Sequence, residues 1–373
     1  MDFQPSNPAT WRPKCFDVEV TTRCNLGCRY CYLGKPTDCD MSKDTADLVL
    51  RMLFRRAVRR ETSELNFYGG EPFANFPIVQ HFAENLVGRS RCTIFTNGAT
   101  ATEDQVQWCL DHQITPKRST AGCPEAAELT RPGDYTERWL AEGRLWQDYH
   151  ASRRLTVIPE TAHLVSRSVR WLHDEGYDGP IDIATDDYRE WPPEAQAAYE
   201  SEMRGLAADF VSKFSLGNIL GIENFTNFGR CIFGQSGVTV FGCGAGWNTW
   251  GVAVDGTVVP CHRFFRELTL PRTHLSAILA AGQRVDFGPQ LLETVSSWAH
   301  SREREECKRC SARQPCARGC MHVGLATGGG LYSSPRTRCR FTRLYAELAW
   351  WIGERLGVSG WWNMPATHCS WEE

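Results

Sequence analysis

Three cysteines near the start of the chain have the type and spacing to hold a metal cluster. Cys24, Cys28 and Cys31 lie within eight residues, in the spacing C-x3-C-x2-C. Short loops that supply thiolates in this way are typical ligands of iron–sulfur clusters. Three thiolates can hold three irons of a four-iron cluster and leave the fourth open to a substrate or cofactor. Zinc is the alternative, although a tight zinc site usually takes four ligands in paired C-x2-C units.

A larger set of cysteines occupies the C-terminal third. Cys243 and Cys261 flank Gly256 in the spacing C-x12-G-x4-C. A C-x2-C-x5-C-x3-C run and one later cysteine follow: Cys307, Cys310, Cys316, Cys320 and Cys339. Two fully ligated four-iron clusters need eight thiolates and this pattern supplies seven, so Cys231, placed here in a glycine-rich loop, is the candidate eighth. A structural zinc ribbon is the alternative.

The composition limits where the protein works and what it binds. The chain has 373 residues, seventeen cysteines and a net charge of −3. This charge favours neither nucleic acid nor an anionic membrane as a partner. No stretch approaches the roughly 18 apolar residues of a membrane span, and no signal peptide is visible. We therefore expect a reducing cytoplasm, where clustered cysteines bind metal rather than form disulfides.

Strand-like and helix-like patterns alternate through the first 215 residues. The predicted strands are 15–20, 65–68, 92–96, 114–120, 155–158 and 181–184. The predicted helices are 42–60, 76–87, one beginning after Thr102, 136–149 (capped by Asp134 with Glu137), 162–175 and 193–214. Six such units predict an α/β fold, a partial (β/α)6 TIM-like barrel with a parallel sheet and an open side. Catalytic groups of such barrels follow the strands' C-terminal ends, as the triple-cysteine loop does.

The composition of the sequence changes after this barrel. Glycines become frequent and helical periodicity fades, so we predict a small cysteine-rich region with helices and a β-hairpin over Gly251–Val259. We predict four segments: an N-terminal extension (1–14), the barrel (15–220), the cysteine-rich region (221–345) and a helix end with a tail (346–373).

Two motifs in the barrel half connect the cysteines to a known family. Gly69-Gly70-Glu71-Pro72 directly follows the second predicted strand, and Thr96-Asn97-Gly98 follows the third. Together with the triple-cysteine segment, which has Tyr30 before its last cysteine, they resemble the radical S-adenosylmethionine (radical SAM) superfamily. The C-terminal cysteine pattern resembles the SPASM domain, which carries two auxiliary four-iron clusters.

The resemblance implies roles for individual residues. Gly69, Gly70, Glu71 and Pro72 would bind the methionine amino group of SAM. Asn97 belongs to the same site, and Ser119 and Arg131 resemble positions that contact the SAM carboxylate. Many relatives have Asp-Gly-Pro after this serine, whereas the chain has Ala121-Gly122-Cys123-Pro124.

The resemblance also implies three clusters. The SAM cluster would lie on Cys24, Cys28 and Cys31. The nearer auxiliary cluster would take Cys231, Cys243, Cys261 and Cys320, and the outer one Cys307, Cys310, Cys316 and Cys339. If Cys231 is not a ligand, the nearer cluster has an open iron.

The implied chemistry is oxidation by a radical route. A reductant of the flavodoxin or ferredoxin type would feed the cluster that cleaves SAM, and the resulting 5′-deoxyadenosyl radical would abstract hydrogen from a C–H bond. The auxiliary clusters would accept the remaining electron. His262 occupies the place of an aspartate base in sulfatase-maturing relatives and can also take a proton. A surface histidine is the alternative.

Two classes of substrate remain open on the sequence. A ribosomal precursor peptide would be dehydrogenated or crosslinked, yet only about fourteen residues precede the first strand, too few for a leader-binding module. A small molecule such as a sugar or aminocyclitol would be dehydrogenated or epimerised, with Cys123 returning hydrogen to an epimerised centre. A non-enzymatic electron carrier or zinc scaffold is a third interpretation, which the open-site cysteine motif disfavours.

Overall fold

The computed structural model describes residues 14–357, apart from several gaps. The residues outside the description are 1–13, 58–62, 87, 132, 147–151, 178, 216–220, 235–243, 247, 269–271, 281–304, 314, 317–318, 331–332 and 358–373. Within the described ranges the chain forms one nine-stranded sheet surrounded by helices. None of the described helices is long and apolar enough to cross a membrane.

The sheet has the strand order β6-β5-β4-β3-β2-β1-β7-β8-β9. Its strands are β1 Cys15–Thr21, β2 Ser63–Gly69, β3 Ser90–Thr96, β4 Thr115–Thr120, β5 Arg153–Val157, β6 Ile181–Thr185, β7 Thr249–Val252, β8 Thr257–Val259 and β9 Thr273–His274. All neighbours from β1 to β6 are parallel, and β7 pairs parallel with β1. The predicted six-unit partial barrel is confirmed.

Helices follow the strands in the order that a parallel sheet requires. They are α1 Lys43–Ala57, α2 Phe76–Leu86, α3 Glu103–Asp111, α4 Pro124–Thr130, α5 Tyr135–Leu145, α6 Val165–Asp174, α7 Pro193–Ser215, α8 Glu223–Phe233, α9 Leu275–Ala280, α10 Glu305–Lys308, α11 Met321–Ala326 and α12 Arg336–Leu356. Short 3-10 helices cover Pro72–Asn75, Pro159–Leu164 and His262–Phe264.

The core lies between the sheet and its helices. Phe16, Val18 and Val20 of β1 are fully buried in an apolar cluster with α1 and α2, as their alternation predicts. A second cluster joins β5 and β6 to α6, α7, α8 and α12. The residues of β1 between the three apolar ones, Asp17 and Glu19, therefore project to the inner face of the sheet, which we call the lumen.

One helix was not predicted, and one predicted cap was wrong. The predicted helix over 136–149 is present as α5, and a separate helix, α4, precedes it because Pro124 suits the first turn of a helix. Asp134 precedes α5 without capping it through its side chain. Its carboxylate instead pairs with Arg138 at 2.9 Å.

The C-terminal region continues the barrel sheet. The predicted hairpin is present as β7 and β8, with Gly256 at φ +84° in the turn. Because β7 pairs with β1, the hairpin is anchored on the barrel itself. The predicted boundary at 220/221 adjoins residues outside the description, and α12 runs across the one at 345/346.

Candidate active site

The triple-cysteine loop begins directly where β1 ends. Cys24 and Cys28 are half-buried and Cys31 is exposed. The backbone N–H of Cys31 donates to the carbonyl of Cys28 at 3.1 Å, and that of Leu26 donates to Sγ of Cys24 at 3.4 Å. Burial, together with the charge of Glu71 and the thiols of Cys28 and Cys31, raises the pKa of Cys24 to about 11. The three thiols are therefore close enough to repel one another as thiolates.

The Gly69–Pro72 turn packs against the start of this loop with no room for side chains. Gly70 N–H donates to the Thr21 carbonyl at 2.9 Å, and Glu71 N–H to the Arg23 carbonyl at 2.7 Å. A Cβ on Gly70 would lie 2.2 Å from the Arg23 oxygen, and one on Gly69 would lie 2.3 Å from the Thr21 oxygen. Only glycine permits this approach of two backbones.

Glu71 joins the ends of β2 and β3. Its buried carboxylate accepts from the Thr96 hydroxyl at 2.9 Å, from Asn97 N–H at 2.7 Å and from Phe73 N–H at 3.3 Å. Burial raises the pKa of Glu71 to about 7, although the Asn97 N–H opposes the shift. Glu71 therefore anchors the turn after β2 to the end of β3.

Asn97 connects the end of β3 to the cysteine loop. Its Nδ2 donates to Asn25 at 2.8 Å and lies 3.9 Å from Sγ of Cys24. Its carbonyl accepts from Tyr135 at 3.1 Å and from Arg131 at 3.4 Å. The motifs that follow β1, β2 and β3 thus meet at one end of the barrel.

Arg131 is buried beside the same loop. Its Nε donates to the Tyr30 hydroxyl at 2.7 Å, its Nη1 donates to the Tyr135 hydroxyl, and its guanidinium lies over both rings. Burial alone would lower the pKa of Arg131, but the two tyrosines and Cys28 raise it above its usual value. Ser119 is half-buried at the end of β4, and its carbonyl accepts from Tyr135 at 3.0 Å.

A buried ion pair supports the turn after β3. Glu142 accepts from the N–H groups of Thr100 and Ala101 at 2.7 and 3.1 Å. The Arg118 guanidinium lies 3.6 Å from Glu142 and donates to the Gly98 carbonyl at 3.1 Å. Both side chains are buried, so the backbone that carries Asn97 rests on a rigid network.

His262 lies in the lumen and is held by a buried carboxylate. Its Nδ1 and its backbone N–H both contact Oδ2 of Asp17, at 2.7 and 3.1 Å. Asn66 donates to the other oxygen of Asp17 at 2.9 Å. The imidazole stacks on Tyr68, with ring centroids 4.2 Å apart. Since Nδ1 faces the carboxylate, Nε2 is the nitrogen left for a proton from the lumen.

Cys123 does not reach the lumen, contrary to the prediction. It is 1 % exposed and packs with Ala126, Leu164 and Trp171 on the helix side of the sheet. Its Sγ accepts from the Ser168 hydroxyl at 3.5 Å. Because Cys123 is the residue before the first turn of α4, its side chain projects toward α6 rather than toward substrate.

Four C-terminal cysteines come together from separate elements. Burial raises the pKa of Cys339 in α12, and the thiols of Cys316, Cys307 and Cys310 raise it further. Those three belong to α10 and the turns after it. The structure therefore groups the four cysteines predicted for the outer cluster.

Two of the other C-terminal cysteines lie near Tyr188. Cys261 follows β8, and Cys320 precedes α11. Both thiols raise the pKa of Tyr188, after burial as the main cause, so both face this ring. Cys231 is buried in α8, not in the glycine-rich loop that was predicted. Cys243 lies outside the described residues.

These donor sets fit iron–sulfur clusters in their chemistry. Among the described residues, no three histidine, cysteine or acidic side chains converge on a single metal ion. A four-iron cluster does not require convergence, because each thiolate binds its own iron. Three mutually close thiols at the barrel end and four in the C-terminal region are the sets that such clusters need.

Sequence reasoning missed the lumen partners of His262. Asp17 and Asn66 carry no family motif. A usable signal was the alternation of polar with apolar residues in β1, because a parallel strand covered on both faces is normally apolar throughout. Asp17 and Glu19 therefore mark the lumen. Tyr30 was part of the cysteine motif but its contact with Arg131 was not predicted, and Tyr135, which also holds Arg131, carried no signal of its own.

Comparison with known proteins finds similarity to one superfamily in the N-terminal part of the chain. Residues 18–114 match the model of the Radical SAM superfamily. An uncharacterized protein of Methanocaldococcus jannaschii is 33% identical over 67 residues. That match covers 18% of this chain and spans only about a fifth, 22%, of that protein.

Solved structures share the fold over nearly the whole chain. The structure of anSMEcpe with bound AdoMet has a TM-score of 0.74 at 18% identity, covering 95% of this chain and 97% of that one. Streptococcus suis SuiB bound to precursor peptide SuiA has a TM-score of 0.59 at 16% identity, covering 88% and 76%. anSMEcpe is also solved with AdoMet and the Cp18Cys peptide. Residues 18–114 thus match the Radical SAM superfamily, and the fold of this chain is shared with anSMEcpe and SuiB over most of its length.

Proposed function

We propose that this chain is a radical SAM oxidoreductase that acts on a ribosomally made precursor peptide in the reducing cytoplasm. The reaction would be a dehydrogenation or a crosslink at a C–H bond of the peptide. The observation that carries the proposal is the meeting of the cysteine loop with the lumen pair: Tyr32, directly after Cys31, packs edge-on against His262 with centroids 6.0 Å apart.

The residues at the cofactor end of the site have the chemistry to hold a cluster and SAM. When bound, SAM and a four-iron cluster with one open iron supply the electron and the 5′-deoxyadenosyl radical that abstracts hydrogen. Cys24, Cys28 and Cys31 would hold this cluster. The Gly69–Pro72 turn would bind the amino group of SAM, and Ser119 and Arg131 its carboxylate. Two further clusters, on the C-terminal cysteines, would bring the total to three.

His262 would accept the proton that the oxidised substrate loses. A histidine side chain has an unperturbed pKa of about 6.5, which suits a base at neutral pH. Asp17 would hold the tautomer that leaves Nε2 free, and stacking on Tyr68 would fix the plane of the ring. An aspartate serves at this place in sulfatase-maturing relatives, so the chain would run similar chemistry with a longer side chain.

Two observations support a peptide rather than a small molecule. Both solved neighbours, anSMEcpe and SuiB, have structures with a bound peptide. An open cavity of about 750 Å³ lies beside Tyr188, a residue that also contacts the lumen. It is lined by polar side chains and backbone, including Glu190, Thr327, Ser333 and Arg336. Such a cleft could take residues that flank the modified one.

The first test is SAM cleavage. Protein reconstituted with iron and sulfide, then reduced with dithionite or a flavodoxin-type reductant, should release 5′-deoxyadenosine. The Cys24/Cys28/Cys31→Ala variant should release none. Absence of cleavage by the iron-loaded wild type would contradict the proposal.

The second test concerns the base and the substrate class. With a peptide that yields product, Asp17→Asn and His262→Ala should lose about 10²–10⁴-fold in product formation, the range of general base catalysis. SAM cleavage should continue uncoupled in both. His262→Asp should recover part of the product. Turnover of a sugar or aminocyclitol, with no peptide accepted, would replace the proposed substrate with the small-molecule alternative.

A further inference from the structure

Arg263 is fixed between the lumen and a C-terminal cysteine. Its Nη1 donates to the Tyr188 hydroxyl at 3.3 Å and lies 3.9 Å from Sγ of Cys320. The guanidinium also lies over two aromatic rings, 5.8 Å from the centroid of Tyr32 and 5.5 Å from that of Tyr188. A hydroxyl, a thiol and two ring faces therefore hold one cation in place.

This cation has no carboxylate of its own. Among the described residues, no acidic side chain lies within the 4.0 Å ion-pair distance of Arg263. Two acidic groups act on it from a distance, and each is paired with another arginine: Asp187 with Arg338 and Asp182 with Arg154. A guanidinium stays protonated at any pH that a protein experiences. A half-buried cation with no carboxylate in contact points to an anionic group that belongs beside Cys320.

We propose that Arg263 is the charge partner of the nearer auxiliary cluster and raises its reduction potential. The inference rests on the proposed function, in which Cys261 and Cys320 ligate that cluster. Four thiolates make a four-iron cluster anionic, and an added electron makes it more so. A fixed cation close to a ligand sulfur stabilises the reduced form more than the oxidised form, and net charge is one of the factors that set cluster potentials.

With Arg263 beside it, the nearer auxiliary cluster would be a better electron acceptor at the end of the lumen. In the proposed reaction the substrate radical loses one electron and one proton. The cluster held by Cys261 and Cys320 would supply the acceptor for the electron, and Nε2 of His262 would take the proton. Raising the potential of the cluster makes this oxidation more favourable without touching the substrate.

Tyr188 and Tyr32 hold the cation at both sides. Tyr188 contacts Nδ1 of His322 at 2.9 Å through the same hydroxyl that accepts from Arg263. Its ring stacks with that of Tyr32, with centroids 6.3 Å apart and planes 11° apart. Because Tyr32 follows Cys31, the position of Arg263 is tied to the cysteine loop as well as to Cys320.

The test is the potential of the auxiliary clusters, measured by a redox titration followed by EPR. The Cys24/Cys28/Cys31→Ala background leaves only auxiliary signals. Arg263→Met and Arg263→Gln remove the charge, and Arg263→Lys keeps it. Arg189→Met is the matched control, because Arg189 neighbours Tyr188 but pairs with Glu160 and Asp186 on the surface.

We expect one auxiliary cluster of the neutral variants to become harder to reduce. A tenfold change in the reduction equilibrium corresponds to about 59 mV for one electron, and we expect at least this shift. Arg263→Lys should shift the reduction potential less, and Arg189→Met should leave it unchanged. Two neutral variants are used so that loss of iron from one still leaves a measurement.

An unchanged potential in an iron-loaded neutral variant would overturn the inference and leave the proposed function standing. An equal shift in Arg189→Met would also overturn it, because any nearby charge would then suffice. Absence of auxiliary clusters from the background protein would instead contradict the proposed function on which the inference rests.

Discussion

The cysteine loop of the barrel and the cysteine run of the C-terminal region differ in what holds them. The barrel loop is fixed by the backbone bonds of Gly70 and Glu71 to the residues just before Cys24. Those residues continue a β-strand whose apolar face is fully buried. In the C-terminal run, most described side chains from 305 to 320 are exposed or half-exposed, and the buried apolar side chains are the small ones of Ala312 and Pro315.

The difference teaches how each site is formed. The fold positions the start of the barrel loop, since the hydrogen bonds of Gly70 and Glu71 to it involve no thiol. The C-terminal run brings four cysteines together with little apolar burial to offset the entropy of ordering the chain. With the proposed cluster bound, such a segment would gain its stability from the metal, as small metal-binding domains do.

Removing iron should therefore affect the C-terminal run much more than the barrel loop. In chelator-treated protein, backbone amides from 305 to 320 should exchange with solvent almost as fast as in an unfolded chain. Binding of a structural metal contributes about 10–16 kcal/mol to the folding free energy of zinc-finger peptides. We expect the C-terminal run to lose a contribution of this kind when the iron is removed. The amides of Gly70 and Glu71 should stay protected. Hydrogen-exchange mass spectrometry measures both, and equal loss in the two regions would remove the distinction.

Crowding the barrel loop should damage it even with iron present. Gly70→Ala places a methyl group 2.2 Å from the Arg23 carbonyl oxygen, so the backbone must shift. We expect a loss of about 1–3 kcal/mol in the free energy of unfolding, and weaker SAM binding. Denaturant unfolding and SAM titration measure these effects.

Gly27→Ala is the matched control for that experiment. Gly27 lies in the same loop, and a Cβ there would meet nothing within 4 Å. It should leave both the unfolding free energy and SAM binding close to wild type. If the two variants behave alike, close backbone contact is not what fixes the loop.

The smallest expected effect belongs to Cys123. Its thiol is buried on the helix side of the sheet, so Cys123→Ala should cost about 1 kcal/mol of stability and leave SAM cleavage unchanged. Thermal unfolding and release of 5′-deoxyadenosine measure the two quantities. A large loss of product formation, with cleavage intact, would return Cys123 to the reaction.

The sequence predicted the barrel and its motif-bearing turns, because both depend on local patterns. The alternation of Phe16, Val18 and Val20 defined the first strand, and glycines marked the turn after the second. The Asp17–His262 pair could not be predicted in this way. Its members are 245 residues apart, and only the pairing of β7 with β1 brings them together.

Side-chain direction was the other limit. Cys123 was placed by its distance from a strand end, but the helix that begins at Pro124 turns its thiol away from the lumen. Cys231 was assigned to a loop because of its neighbouring glycines, whereas Phe225 and Phe228 give that segment an apolar face that packs as a helix. In both places tertiary packing decided the outcome.

The most direct test of the account counts iron and sulfide in anaerobically reconstituted protein. We predict about twelve irons for the wild type and about eight for the Cys24/Cys28/Cys31→Ala variant, since each four-iron cluster contributes four. That result would establish one cluster in the barrel loop and two in the C-terminal region. Little iron with stoichiometric zinc would contradict the account.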